Sequence, residues 1–386
     1  MIAVISDDFT GAAELGGLAV RYGLDVEIET SVIVNRDFDL LIVATDTRSM
    51  SASEAAKKVS EITKELLIKN PELIYKKIDS VLRGHVLSEV EAIKESTGCN
   101  TILVVPANPS LRRMIKDGKY FIDDKLLHET DFSNDPEFPF STSNVLELIG
   151  KSDKTKVTLS SVENDNYPDG IVIGEAVSNR DLAFWAKTLL AQNIALAGAA
   201  DFFASLLEQK GFEVQNSGSK VFDLKGRRCL YVCGSAIDTS RKAVEKAKKN
   251  GATICQLPIE LISNHNNGNE LISTMIQNIE EAFKKDDRVI VSVSGPVIKQ
   301  NGASKKIRNF TAEVVSEVLK REKINELFIE GGATAYSILQ VTGFKQFIPK
   351  QELALGVLRM EVAGKENLFL TLKPGSYSWP KEVWNY

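Results

Sequence analysis

The chain has 386 residues, with 47 Lys and Arg against 52 Asp and Glu, which gives a formal net charge of −5 at pH 7. This length exceeds what one ordinary hydrophobic core holds, so two domains are expected. Hydrophobic residues make up 43% and charged residues 26%, proportions that exclude a disordered or fibrous chain. The acidic balance gives no reason to expect a nucleic-acid partner, because binding to a phosphate backbone needs clustered Lys and Arg.

The sequence predicts neither a membrane segment nor secretion. No apolar run approaches the roughly 18–20 residues that span a bilayer, and the first residues lack the basic segment of a signal peptide. Cys99, Cys229, Cys233 and Cys255 lie in strand-like segments, which is typical of buried thiols in a reducing compartment. A zinc site at Cys229 and Cys233 would need further ligands, and the chain has only three histidines. We therefore expect a cytoplasmic protein with core cysteines.

Short β-branched runs alternate with helical patterns along most of the chain. The apolar runs alternate with helical segments, which is typical of a parallel sheet covered by helices. The runs are MIAVIS, DLLIVATD, LIYKKID and TILVVPA. The alternation weakens between about 106 and 160, where we predict a long functional loop with a hairpin. It resumes with a strand-like segment at 171–177, and a polar stretch at about 215–228 then interrupts it again. We therefore predict a first domain at 1–215, a linker at 216–228 and a second α/β domain at 229–386.

Two adjacent carboxylates, Asp7 and Asp8, follow the first predicted strand in the segment SDDFTG. Ligands of open α/β sheets bind beyond the carboxyl ends of strands, so these side chains are placed for substrate or metal chemistry. One of them can cap the next helix, which leaves the other for chemistry. Haloacid-dehalogenase-type phosphatases also begin with a strand and an acidic loop. Their D-x-D-x-T pattern needs an aspartate where this chain has Ser6, which counts against a phosphoaspartate mechanism.

A second polar cluster, KIDSVLRG at 77–84, follows another predicted strand. Lys77 and Arg83 supply positive charge, and an arginine fork can grip a carboxylate with two hydrogen bonds. The simpler interpretation is a surface ion pair between Lys77 and Asp79, which would contribute at most ~1 kcal/mol. Four polar side chains in one turn, Ser80 included, favour a site for a carboxylate substrate.

Three predicted strands in the second half of the chain end in small residues. GGAT follows LFIE at 331–334, Ser235 follows YVCG, and Ser294 with Gly295 follows VIVSV. Small residues let a phosphate approach the N–H groups at a helix N-terminus, so these turns together predict a floor for nucleotide phosphates. Because the chain contains neither a P-loop nor a G-x-G-x-x-G after a strand, a nucleotide site of another type is expected.

These motifs resemble those of the four-carbon acid sugar kinases, a family that contains kinases for D-threonate, D-erythronate and 3-oxo-tetronate. The similarity covers nearly the whole chain, in order, through SDDFTG, KIDSVLRG, PANP at 106–109, HETDFSNDP at 128–136, LAGAA at 196–200, GS at 234–235, GGAT and LKPG at 372–375. One departure lies near the carboxyl end, where KPGSYS stands in place of the K-S-G-x-F-G that is common in the family.

The resemblance implies two α/β domains, each a largely parallel sheet covered by helices, with the active site in the interdomain cleft. The amino-terminal domain would hold the sugar acid and the carboxy-terminal domain ATP. Carried over by motif, the acid site would contain Asp7, Asp8, Lys77, Asp79, Ser80 and Arg83, with Thr130 and Asp131 reaching it from the long loop. The nucleotide would contact Ser235, Ser294, Gly331, Gly332, Thr334, Lys373 and Gly375.

The predicted reaction is in-line transfer of the γ-phosphoryl group of ATP to a hydroxyl of a four-carbon sugar acid, with Mg²⁺ on the nucleotide phosphates. Lys77 and Arg83 would fix the carboxylate, and Asp7, Asp8 or Asp79 would act as the base. Two alternatives remain open, a phosphatase or lyase that acts on a sugar-acid phosphate without nucleotide, and a ligand sensor without turnover. The oligomeric state is open as well, a homodimer included.

Overall fold

The computed structural model describes residues 1–33, 36–135, 138–162, 168–189, 194–215, 222–234, 238–258, 268–293, 302–375 and 377–386. The chain forms two compact units, Met1–Asn216 and Ser217–Tyr386. The predicted linker at 216–228 is described only from Phe222 onward. Of the helices in these ranges, none is long and apolar enough to cross a membrane.

The first unit alternates strands and helices as the sequence predicts. Its strands are β1 (Ile2–Ser6), β2 (Val26–Glu29), β3 (Leu40–Ala44), β4 (Leu73–Lys77), β5 (Thr101–Val105), β6 (Arg113–Lys116), β7 (Lys119–Ile122), β8 (Lys125–Leu126), β9 (Val157–Ser160), β10 (Gly170–Gly174) and β11 (Ala195–Gly198). Its helices are α1 (Phe9–Arg21), α2 (Ala52–Ile68), α3 (Val86–Thr97), α4 (Val145–Ile149), α5 (Asn179–Leu189) and α6 (Ala200–Gln209).

The main sheet of this unit is parallel, in the order β2-β3-β1-β4-β11-β5-β10-β9. Every residue of β1, β3, β5 and β10 is buried, as expected of apolar strands covered by helices on both faces. The register pairs Ser6 with both Ala44 and Lys77, and Gly198 with Lys77. The carboxyl ends of four adjacent strands therefore meet at one edge, where the predicted acid site lies.

The loop predicted at about 106–160 contains a small antiparallel sheet, β6-β7-β8. Asp117 and Gly118 connect β6 to β7, and both have positive φ, 50° and 73°. A two-residue turn with two left-handed positions matches the twist of a hairpin, which explains the Asp-Gly sequence at this point. The predicted hairpin is present.

The second unit has the strands β12 (Cys229–Cys233), β13 (Thr253–Leu257), β14 (Arg288–Val293), β15 (Glu326–Glu330), β16 (Gln346–Ala354), β17 (Val357–Val362) and β18 (Phe369–Lys373), and the helices α7 (Asp238–Lys249), α8 (Gly268–Phe283), α9 (Ala303–Arg321) and α10 (Gly332–Thr342). Its sheet has the order β13-β14-β12-β15-β18-β17-β16. The first five strands are parallel, and β17 is antiparallel to both of its neighbours, β16 and β18.

Aromatic side chains close one part of the second unit's core. Tyr231 of β12 stacks on Phe328 of β15 at a centroid distance of 4.5 Å, and Trp384 meets Tyr231 edge-on. The prediction of two α/β units with largely parallel sheets covered by helices is confirmed. Cys229, Cys233 and Cys255 are buried free thiols, as the core interpretation predicts.

Candidate active site

Asp7 and Asp8 lie in the turn between β1 and α1. Asp8 is the N-cap of α1, and its Oδ1 accepts a hydrogen bond of 2.7 Å from the N–H of Gly11. A Cβ at Gly11 would lie 2.8 Å from Asp8 Oδ1, 2.9 Å from Ser6 Oγ and 3.2 Å from Lys77 Nζ. Because Gly11 has no side chain, the first turn of α1 can pack closely against these three polar side chains. Asp8 is a cap, as one of the two aspartates was expected to be, and its Oδ2 still faces the site.

Arg48 joins the three predicted catalytic aspartates. It follows β3 in the segment TDTR, and its Nη2 lies 2.7 Å from Asp7 Oδ2 and 3.5 Å from Asp79 Oδ2. Its Nη1 lies 3.0 Å from Asp8 Oδ2. The structure thus brings Asp7, Asp8 and Asp79 together around one guanidinium. The sequence prediction missed Arg48, although a polar run directly after an apolar strand is the same signal that singled out the aspartates.

Lys77, the last residue of β4, lies in the same cluster. Its Nζ is 3.1 Å from Glu14 Oε2 of α1 and donates to the carbonyl of Ile78 at 3.0 Å. Burial lowers the pKa of Lys77, but Glu14 and the aspartates outweigh burial and raise it above its ordinary value. Lys77 is therefore a permanently charged member of the site with its own carboxylate partner.

Arg83 and Asp79 form a second ion pair in the turn after β4. Arg83 Nη2 lies 2.7 Å from Asp79 Oδ2, and Asp79 Oδ1 also accepts from the N–H of Val81 at 3.0 Å. Arg83 Nη1 reaches Asp135 Oδ2 at 3.2 Å. Although burial acts in the opposite direction, Arg83 and Arg48 hold the pKa of Asp79 far below its ordinary value. Asp79 is thus an ionised anchor for two arginines.

Asp8 behaves differently from Asp79. Burial raises the pKa of Asp8 above its ordinary value of 3.8, the charge of Asp7 adds to the rise, and Arg48 and Lys77 oppose it. The Asp8 side chain is 17% exposed, against 5% for Asp7 and 8% for Asp79. Among the three aspartates, Asp8 is the one with both the greatest access and a raised proton affinity.

Thr130 and Asp131, which were predicted to reach the acid site from the long loop, lie beside loop residues that contact Arg83. Thr130 Oγ1 donates to the carbonyl of Leu127 at 2.7 Å, and Asp131 is exposed at the start of a 3₁₀ turn. Among the described residues of this loop, Phe132 and Asp135 contact Arg83, and the centroid of the phenyl ring lies 5.6 Å from the guanidinium carbon. Direct roles for Thr130 and Asp131 stay a prediction.

Arg113, the first residue of β6, is a further cation at this edge. Its Nη1 donates to Ser80 Oγ, and its guanidinium carbon lies 5.7 Å from the centroid of Phe132. The ring of Phe132 therefore packs with both Arg83 and Arg113. Arg113 is absent from the predicted site residues because it lies in a stretch without strand-and-helix alternation.

In the second unit, the predicted Gly-Gly turn lies between β15 and α10. Gly331 is the N-cap of α10 with φ of 93°, a conformation that glycine adopts without strain, and Gly332 begins the helix. A Cβ at Gly234, just after β12, would lie 2.7 Å from Thr334 Oγ1. The ends of β12 and β15 therefore approach each other at this turn, and Thr334 is buried between them.

Lys373, the last residue of β18, is 2% exposed and its Nζ lies 2.8 Å from Glu330 Oε1. Burial lowers its pKa below the ordinary value although Glu330 opposes this. The backbone carbonyl of Lys373 accepts from the N–H of Gly331 at 3.0 Å, so β18 supports the Gly-Gly turn, and Gly375 follows two residues later. The predicted contacts of Ser235, Ser294 and Gly295 with nucleotide lie outside the described residues.

Comparison with known proteins decides the family. The family model described as a sugar-binding N-terminal domain matches residues 2–206, and the one described as a nucleotide-binding C-terminal domain matches residues 230–377. The chain belongs to the four-carbon acid sugar kinase family. Its resemblance by motif is thereby confirmed.

Relatives of this family member have kinase names. A D-threonate kinase of Salmonella typhimurium is 24% identical over 91% of this chain and 88% of its own length. A 3-oxo-tetronate kinase of Haemophilus influenzae is 25% identical over 98% and 97%, and a D-erythronate kinase of Heliobacterium modesticaldum is 23% identical over 88% and 85%. A crystal structure of a Haemophilus influenzae protein has a TM-score of 0.73 at 22% identity, covering 100% of this chain and 98% of that one, which shows the shared fold.

Proposed function

We propose that this family member is an ATP-dependent kinase that phosphorylates a hydroxyl of a four-carbon sugar acid, namely threonate, erythronate or 3-oxo-tetronate, in the cytoplasm. The observation that carries the proposal is the strand-end cluster of Asp7, Asp8 and Asp79 around Arg48, in the unit that matches a sugar-binding domain. The relatives are named as kinases of D-threonate, D-erythronate and 3-oxo-tetronate, all of which are four-carbon sugar acids, and these names support the substrate class.

In the proposed mechanism Asp8 acts as the base. Its pKa is raised above the ordinary value and its side chain is the most exposed of the three aspartates, which suits a group that accepts the proton of an attacking hydroxyl. Asp79 has a lowered pKa and serves to hold Arg48 and Arg83 in place. Asp7, whose Oδ2 accepts a hydrogen bond of 2.8 Å from Arg48 Nε and lies 2.7 Å from Arg48 Nη2, orients that arginine. Proton removal and charge placement are what a phosphoryl acceptor site must supply.

The second unit would bind ATP at the Gly331-Gly332 turn. A helix N-terminus without side-chain bulk presents backbone N–H groups to a phosphate, and α10 begins in this way. Among the described residues no group of three or more His, Cys, Asp or Glu is arranged to hold a metal ion. We therefore propose that Mg²⁺ arrives with the ATP phosphates, which are its usual ligands, and that it neutralises their charge.

A coupled assay of ADP release tests this function. The protein is supplied with ATP and Mg²⁺ and with D-threonate, D-erythronate, L-threonate or 3-oxo-tetronate in turn. ADP formation that depends on one acid supports the kinase and identifies its substrate. Phosphate release from a sugar-acid phosphate without nucleotide would favour the phosphatase or lyase instead. Binding of acid and ATP without turnover would favour a sensor.

A further inference from the structure

We infer that Arg113 binds the carboxylate of the sugar acid, an inference that rests on the proposed function and deepens it. Among the described residues, Arg113 is the cation of the acid site that has no carboxylate oxygen within 4.0 Å. Its described polar side-chain contact is the hydroxyl oxygen of Ser80. Its charge is therefore available to an anionic ligand.

The other cations of the site are already paired within the chain. Arg48 is surrounded by Asp7, Asp8 and Asp79, and Lys77 faces Glu14. Arg83 contacts two carboxylates, Asp79 and Asp135. A substrate carboxylate that approached these groups would have to displace an existing partner or share it, at the cost of repulsion between like charges. Among the described residues it would displace no ion-pair partner at Arg113, because Asp79 acts on that arginine without pairing with it.

The chain holds Arg113 in place through its backbone. The N–H of Asn108 donates to the carbonyl of Arg113 at 2.8 Å, and the N–H of Arg113 donates back to Asn108 at 3.1 Å. The Asn108 side chain accepts from the N–H of Asp201 at 2.9 Å, which fixes this bridge to the start of α6. The backbone at Arg113 is thus held by hydrogen bonds, and little backbone entropy is lost when this residue binds a ligand.

The side chain of Arg113 is also oriented before a ligand arrives. Ser80 Oγ occupies one N–H of Nη1, and the ring of Phe132 packs against the guanidinium. A guanidinium has five N–H donors in a planar fork, so donors remain for a carboxylate in a two-bond contact. Arg113 is half-buried, and its positive charge contributes to the lowered pKa of Asp79. Asp79 already pairs with Arg48 and Arg83, so the substrate carboxylate would give Arg113 a partner of its own.

The test compares Arg113→Gln with Arg113→Lys in steady-state kinetics. Loss of a charge-assisted contact should raise the KM of the acid about 10- to 100-fold in Arg113→Gln, with the KM of ATP unchanged. Arg113→Lys keeps the charge but not the fork, so its rise should be smaller. Calorimetric titration of the acid into each protein without nucleotide measures the same loss as a change in Kd.

Arg112 offers a matched control. It precedes Arg113 in the chain, but its side chain is 62% exposed and pairs with Asp123 and Asp124 outside the site. Arg112→Gln should leave both KM values unchanged. The unfolding temperatures of all variants are measured alongside, and if Arg113→Gln does not fold, Arg113→Lys carries the test.

The outcomes separate this inference from the proposed function. If the wild-type protein turns over an acid but both Arg113 variants keep its KM, the inference is overturned and the function stands. A parallel fall of kcat for all substrates together with the unfolding temperature would also overturn it, since Arg113 would then only support Ser80 and Phe132. If the wild-type protein neither turns over nor binds any acid, both fail.

Discussion

Three aspartates within reach of one guanidinium differ in what each can do. Asp79 receives hydrogen bonds from Arg83 and from the backbone N–H of Val81, so its proton affinity is lowered. Asp7 shares its Oδ2 with two nitrogens of Arg48. Asp8 is the most exposed of the three, and burial raises its pKa. The difference between Asp8 and Asp79 thus follows from the balance between burial, which raises the pKa of a carboxyl, and arginine charge, which lowers it.

Replacing Asp8 by Asn is expected to lower kcat by about 10²- to 10⁴-fold, the usual contribution of a general base. The KM of ATP should stay unchanged, since ATP is bound by the second unit in our proposal. Asn is as good an N-cap as Asp, so α1 should remain intact. Steady-state kinetics and circular dichroism measure both effects. An Asp8→Asn variant with wild-type kcat would remove Asp8 from this role.

The pH dependence gives an independent check on Asp8. A base is active when ionised, so kcat/KM should fall as the pH drops through the pKa of Asp8, which burial places above 3.8. A raised pKa in the folded state means that the ionised form costs stability above that pKa and that this cost vanishes at lower pH. Asp8→Asn should therefore lose the acidic limb of the rate profile and unfold at a slightly higher temperature at pH 7.

What the sequence reveals about single residues depends on where they lie. The predicted residues of the acid site lie at the ends of strands or in the turns that follow them, and a parallel sheet brings such positions together at one edge. They are Asp7, Asp8, Lys77, Asp79, Ser80 and Arg83. Arg48 follows a strand too and could have been found by the same rule. Arg113 could not, because its place beside Ser80 depends on the irregular turn around Asn108, which has no periodic pattern.

At the scale of secondary structure, the ends of the strands form the acid site. The carboxyl ends of β1, β3 and β4 are in register, and the turn after each contributes charged side chains to one cluster. Gly84, in the turn before α3, has φ of 90°, and a Cβ there would lie 3.2 Å from Cγ of Arg48. This turn therefore also forms one wall of the space that holds the Arg48 side chain.

Gly84→Ala is expected to reduce both stability and turnover. The positive φ should cost about 1–2 kcal/mol for a residue with a Cβ, and the contact should shift Arg48 and with it Asp7 and Asp8. Gly98→Ala is the matched control, because Gly98 ends α3 with φ of 70° and its Cβ would meet no atom within 4 Å. Chemical denaturation and kcat are measured for both. Equal loss of kcat in the two variants would contradict a role for the contact with Arg48.

The order of elements is the part of the fold that the sequence predicts best. Apolar runs of strand length separated by amphipathic segments leave a covered parallel sheet as the consistent solution, and both units have one. The antiparallel pairing of β16, β17 and β18 was not predicted. Short turns join these strands without a covering helix, so this part of the chain lacks the strand-helix alternation on which the prediction rests.

At the scale of the whole molecule, each unit has its own set of strand ends with different chemistry. The first unit gathers charged side chains, Asp8 and Arg48 among them. The second gathers glycine and a hydroxyl at Gly331 and Thr334, with the charge of Lys373 matched by Glu330. Charged groups suit a small polar acid and bare backbone suits phosphates, so the two units are expected to control the two substrates separately.

Thr334→Val tests this separation. The exchange keeps the shape of the buried side chain and removes its hydroxyl, so the KM of ATP should rise about 10-fold while the KM of the acid stays unchanged. Thr342→Val is the control on the same helix, because its hydroxyl donates to the carbonyl of Ile338 one turn earlier. Arg113→Gln should change only the KM of the acid, so Thr334→Val and Arg113→Gln are each expected to raise a different one of the two KM values. If Thr334→Val raised the KM of the acid as much as that of ATP, the division of substrates between the units would be wrong, because a hydroxyl in the second unit would then be coupled to the ligand of the first.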